Sequence, residues 1–124
     1  MTFTDAEHRA LEQACLGSEH LYAAFGHLIE WHHQIGHGMA QFENVMVALR
    51  ASGHDDLADR LRDELLPAGV IDDKWSYEVV DEFREEFLEA MATFEADLRE
   101  ELDAPRHVHE RELKAEARAR AESN

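Results

Sequence analysis

A seam of apolar residues that step by four and then by three constrains this chain more than any other feature. It runs from residue 21 to residue 49 and is interrupted once, by a histidine: Leu21, Phe25, Leu28, His32, Ile35, Met39, Phe42, Met46 and Leu49. This spacing places its residues along one side of an α-helix and is typical of helices that pack on other helices. We therefore predict a long helix over about residues 18–51.

The residues before this helix leave two alternatives open. Thr4 and Glu7 have the spacing of a capping box, which predicts a helical stretch that begins near residue 4. Gly17 either ends this first stretch, so that Ser18 caps a second helix, or lies inside one continuous helix. We favour the break at Gly17.

The rest of the chain also predicts helices, because no segment shows a sustained period of two. A short helix capped by Asp55 is expected to end at Pro67, and a second long helix is expected over about residues 73–103. The predicted fold is all-α: an antiparallel hairpin of two long helices with a short connecting helix, dimerising into a four-helix or larger bundle. We expect one domain over residues 1–104 and a charged helix or disordered tail over residues 105–124.

The composition limits the classes of partner. The chain has 28 acidic and 12 basic residues, a formal net charge of −16, and this excess argues against binding to DNA or RNA. An acid-rich, lysine-poor surface favours an extremely halophilic source, with a high-GC bacterium as the alternative. Cys15 is the only cysteine, and no apolar run approaches the ~20 residues of a membrane span. We predict a cytoplasmic protein with no membrane partner.

The side of the long helix opposite the seam is unusual because it is nearly uncharged. Glu30 and Glu43 are the only Asp, Glu, Lys or Arg residues between positions 20 and 49, although these four residue types make up 32% of the whole chain. Histidines, amides and small residues occupy this side instead. We predict that it packs against another surface, most simply the same helix of a second copy, and that Glu30 is then buried.

A carboxylate buried beside imidazoles suggests a metal centre. Four residues spaced by three or four positions share this side and are our main candidate ligands: His27, Glu30, His33 and His37. Imidazoles with a carboxylate suit iron, zinc, manganese, nickel or copper, whereas calcium and magnesium prefer oxygen ligands. The alternative is a polar interface in which these groups hydrogen-bond to one another.

Four further residues are secondary candidate ligands. His20 lies on the same side of the helix, whereas His32 lies in the apolar seam. His32 is either a core histidine bonded to a carbonyl or an acid of the third helix, or a ligand that faces that helix. Glu82 and Glu86 of the third helix are candidate carboxylates. Glu30 and His33 resemble the Glu-x-x-His element of di-iron four-helix proteins, but the resemblance covers these two residues alone and indicates no family.

These observations predict a metal-binding helical-bundle protein with its site at a dimer interface, and a redox or storage role is compatible with such a site. The sequence does not decide whether the protein is an enzyme. One alternative is a non-enzymatic dimerisation or scaffold protein whose histidine-rich side is a polar interface. Another is a bundle that binds haem through two histidines.

Overall fold

The chain forms helices throughout the part that the computed structural model describes, residues 3–105 and 108–123. Its α-helices are α1 (Asp5–Ala51), α2 (Asp55–Arg60), α3 (Ser76–Glu82), α4 (Glu89–Glu101) and α5 (Val108–Ser123). Short π-helices, Leu61–Leu65 and Phe83–Leu88, follow α2 and α3 directly. No strand occurs within these described ranges, so the predicted all-α class is confirmed.

Helix α1 is a single element of 47 residues that continues through Gly17. The capping box at its start is present: the Glu7 amide donates to Thr4 Oγ1 at 3.1 Å, and the Thr4 amide donates to a Glu7 carboxylate oxygen at 2.8 Å. The favoured break at Gly17 was therefore wrong. A single glycine costs a helix only about 1 kcal/mol, which its flanking helical residues can offset. Gly53, with φ +81°, lies just beyond the end of α1, where a left-handed residue commonly follows a helix.

The later helices begin at slightly different residues from those predicted. Asp55 is the first residue of α2 rather than its cap, and His54 holds the cap position without a side-chain hydrogen bond. The second long helix begins at Ser76 rather than at residue 73, because Asp72 and Asp73 have positive φ angles that a right-handed helix does not allow. The Trp75 amide donates to Glu78 Oε1 at 3.2 Å and so begins α3.

The chain divides into two compact units, and α1 contributes to both. The first unit comprises Met1–Tyr22 and Phe87–Asn124. Its core is small: Phe3, Leu11 and Ala104 are buried, and Leu98 and Leu102 pack against them.

The second unit, Ala23–Glu86, is held by side chains of α1 that meet the elements following it. Phe25 stacks on Phe83 with ring centroids 6.2 Å apart, and His32 contacts Ser76. The structure describes every residue of this unit, and those that are buried are Ala58, Leu61 and Ser76. No residue of the apolar seam of α1 in this unit is fully buried, and Phe42 within it is exposed.

The C-terminal segment contains α5, a helix in which half of the 16 residues are charged. Glu110 of α5 lies near Cys15 of α1, where burial and the neighbouring carboxylates Glu110 and Glu19 raise the pKa of the thiol. Over residues 108–123 this segment is therefore helical, and its Glu110 interacts with α1 within the first unit. The predicted domain boundary after residue 104 stays a prediction.

None of the helices in the described part of the chain combines the length and the apolar character needed to cross a membrane.

The core of the first unit predicts a strong contrast between two leucines of α1. Leu11 is fully buried, whereas Leu16 is 43% exposed. Leu11→Ala should lower the free energy of unfolding by about 2–5 kcal/mol, because it leaves a cavity in a small core. Leu16→Ala, the matched control, should cost less than about 1 kcal/mol. Urea unfolding followed by circular dichroism measures both, and equal losses would contradict the assignment of this core.

Candidate metal site

The four main candidate ligands lie on one exposed side of α1, which we call the histidine face: His27, Glu30, His33 and His37. The helix places them there because their spacings of three and four residues match its 3.6-residue turn. The side chains of Glu30 and His33 are 63% and 58% exposed. A single chain therefore does not bury Glu30, and the predicted enclosure of this face requires a second chain.

Glu30 is the centre of the polar contacts on the histidine face. One of its carboxylate oxygens accepts a hydrogen bond from Gln34 Nε2 at 3.0 Å. Its other oxygen lies 3.9 Å from His33 Nδ1. The carboxylate and one imidazole are thus already neighbours, and the Gln34 bond limits the carboxylate rotamers without blocking the oxygen that faces His33.

His37 and His27 extend this pair in both directions along the helix. His37 lies one turn beyond His33, and His27 lies one turn before Glu30; both are exposed. Among the described residues, no three His, Cys, Asp or Glu side chains are grouped closely enough to hold a metal ion within one chain. Glu30 and His33 are the two candidates that the structure brings closest together.

His32 is engaged elsewhere. Its Nδ1 lies 2.6 Å from the hydroxyl oxygen of Ser76, a buried residue at the start of α3. The half-buried position agrees with the interpretation of His32 as a core histidine, but its partner is a hydroxyl group rather than a carbonyl or an acid. Its ring centroid lies 5.7 Å from that of His33. This contact with Ser76 joins the middle of α1 to the first turn of α3.

The other secondary candidates are Glu82, Glu86 and His20. Glu82 Oε2 accepts a hydrogen bond from Lys74 Nζ at 2.8 Å, and this bond raises the pKa of Lys74. Glu86 is exposed. His20 is also exposed and belongs to the first unit.

Sequence reasoning missed the apolar groove of the second unit, which has a volume of about 360 Å³. Its walls come from the seam of α1, from the π-helix Leu61–Leu65 and from the segment before α3. The individual apolar residues were visible in the sequence. Their convergence was not, because the π-helix and the positive φ angles of residues 72 and 73 set the path of the connection.

Comparisons of this chain with protein-family models, with curated proteins and with solved structures found no match.

The contact between His32 and Ser76 predicts a measurable loss of stability when the hydroxyl is removed. Ser76→Ala should lower the free energy of unfolding by about 1–3 kcal/mol, because it leaves a half-buried imidazole nitrogen without its partner. Ser52→Ala is a suitable control, since the Ser52 hydroxyl is exposed and contacts only carbonyls of its own helical turn. Its effect should stay within about 0.5 kcal/mol. Equal effects of the two substitutions in urea unfolding would show that the His32 contact contributes nothing.

Proposed function

We propose that this protein binds a divalent transition metal on the histidine face of α1, with Glu30, His33 and His37 as the first ligands and His27 as the next. The single observation that carries the proposal is the neighbouring pair of Glu30 and His33 on a helix surface otherwise free of charge. In so acidic a chain, an exposed surface would ordinarily carry carboxylates. Here it carries imidazoles.

The donor set favours particular metals. Neutral imidazole nitrogens suit zinc, copper, iron and nickel, and one carboxylate adds charge without making an oxygen-only shell. Magnesium and calcium prefer shells of oxygen atoms, which this face does not offer.

The distance between Glu30 and His33 suits a shared metal after a small rearrangement. Donor atoms that each lie about 2.0–2.2 Å from a tetrahedral metal are separated by roughly 3.4 Å. The observed separation is 3.9 Å, and both side chains are exposed, so a rotation of the His33 ring suffices to close the difference. His37 follows His33 by one helical turn, the spacing at which two histidines project from the same face.

The remaining coordination positions belong to water or to the same face of a second copy. In the second arrangement the two long helical regions pair antiparallel, and two chains form a four-helix bundle with symmetric ligands. If water keeps a position, hydrolytic or redox chemistry becomes available at the metal; if protein ligands fill the shell, the metal is structural. The charge of −16 supports a halophilic source, and a cytoplasmic location also remains part of this proposal.

A second candidate function is a helical scaffold that self-associates without a metal. It is favoured by the number of large apolar side chains that one chain leaves exposed, among them Tyr22, Phe42 and Phe94, each more than half exposed. The histidine face would then be a polar surface. Binding of haem by two histidines is a further alternative, and a Soret absorption band of the purified protein distinguishes it.

Metal titration tests the first proposal. Untagged protein that has been treated with chelator and then dialysed should bind about one zinc or cobalt(II) ion per one or two chains by calorimetry. The double variant His33→Ala, His37→Ala should lose this binding, because Glu30 and His27 alone supply too few donors. Cobalt(II) should also give visible absorption bands that the double variant lacks.

His54→Ala is the matched control, because His54 is exposed in the same unit but lies outside the histidine face. It should bind metal like the unaltered protein. Undiminished binding by the double variant, or less than about one metal per two chains in the unaltered protein, would exclude the proposed site and leave the scaffold function.

A further inference from the structure

The second unit contains a groove whose lining is entirely uncharged. Its most prominent residues are Ile35, Met39, Phe42, Leu61, Leu65 and Trp75. The only side chain in the lining that carries a hydrogen-bonding amide is Gln34, and none of the lining residues is acidic or basic. In a chain with a net charge of −16, a continuous uncharged surface of this kind needs an explanation.

The groove is open, because its apolar walls remain accessible to water. Phe42 and Leu65 are each 53% exposed, and Trp75 is 37% exposed. These residues come from three different segments of the unit and converge on one cavity of about 360 Å³. An aromatic ring at its wall together with aliphatic neighbours is the composition that the centres of protein interfaces favour.

The exposed side chains indicate how much surface remains to be covered. Within the second unit, eight large apolar side chains are exposed: Phe42, Val45, Val47, Leu57, Leu65, Ile71, Trp75 and Tyr77. Only Ala58, Leu61 and Ser76 are buried among the described residues of this unit, 23–86. The second unit therefore leaves much apolar surface for an interface to cover.

We propose that a second copy of this chain covers this groove, with the groove of each copy facing the other across a twofold axis. An isologous contact of this kind brings Phe42, Leu65 and Trp75 of both copies together in one apolar centre. A second copy fits better than an oppositely charged partner, because the lining has no charge for such a partner to recognise. The interface is the missing part of the core of the second unit.

This association differs from the one that completes a metal shell. By helical periodicity, Ile35, Met39 and Phe42 point away from the side of α1 that carries Glu30, His33 and His37. The two surfaces adjoin at Gln34, which lines the groove and donates a hydrogen bond to Glu30. Two copies joined through the apolar part of the groove leave the imidazoles of His33 and His37 open to water. The inference therefore stands without metal binding, and a chelator distinguishes the two.

Salt should strengthen the association. Two chains of charge −16 repel one another, and the Debye length falls from about 10 Å near 0.1 M salt to about 3 Å near 1 M. The apolar contact itself is not weakened by this screening. The fraction of dimer should therefore rise with sodium chloride concentration.

Light scattering coupled to size-exclusion chromatography tests the proposal. At micromolar concentration in high salt, the full chain should elute with twice the 14.2 kDa mass of one chain, with or without chelator. Phe42→Arg and Leu65→Arg, made separately, should each weaken self-association by roughly tenfold or more and shift the mass towards that of one chain. Both positions are half exposed, and circular dichroism confirms that the helices persist.

Val47→Arg is the matched control, because Val47 is 65% exposed on the same helix but outside the groove lining. It should keep the dimer mass. A monomeric unaltered protein at every salt concentration, a dimer retained by both folded groove variants, or a dimer lost on adding chelator would each overturn the assignment of the groove.

Discussion

The apolar seam of α1 is the constraint on which the other features depend. A 47-residue helix with apolar residues every three or four positions needs apolar partners along that whole side. Within the second unit, the partners are Phe83 on Phe25 and the cluster of leucines and tryptophan around Met39 and Phe42. They leave the seam half-buried and Phe42 exposed, so hydrophobic burial within this unit is incomplete. Association with a second copy is the most direct way to remove that surface from water.

The same helix presents a second, chemically different side. Its imidazoles and amides are hydrated in one chain, and Glu30 is held by Gln34 and approached by His33. The groove and the histidine face adjoin at Gln34, but the apolar groove residues of α1 and the four candidate ligands point in different directions, so covering one does not require covering the other. The proposed metal on the histidine face and the proposed dimer through the groove are thus independent of one another, and together they would give a dimer with two outward-facing metal sites.

Periodicity and capping signals were enough to predict the helices, because these depend on residues close together in the chain. The seam from Leu21 to Leu49 and the Thr4–Glu7 capping box led to α1, although the weight given to Gly17 was too great. Contacts between distant residues were less accessible. The pairing of His32 with Ser76 and the groove both depend on the path of residues 66–75. Two aspartates with positive φ turn the chain there, and no periodic pattern in the sequence predicts this turn. The histidine face could be identified from its lack of charge, but the atoms that would complete a metal shell lie outside one chain and could not be predicted from its sequence.

Trp75 provides the most direct measurement of the central claim, which is that a second copy covers the groove. In the variant Trp31→Phe it is the only tryptophan, so acrylamide quenching of its fluorescence reports on the groove wall alone. Our account predicts weak quenching at micromolar concentration and stronger quenching on dilution, as the dimer separates and the ring meets water. A quenching constant that stays unchanged on dilution, and equals that of the same protein carrying Phe42→Arg, would contradict it.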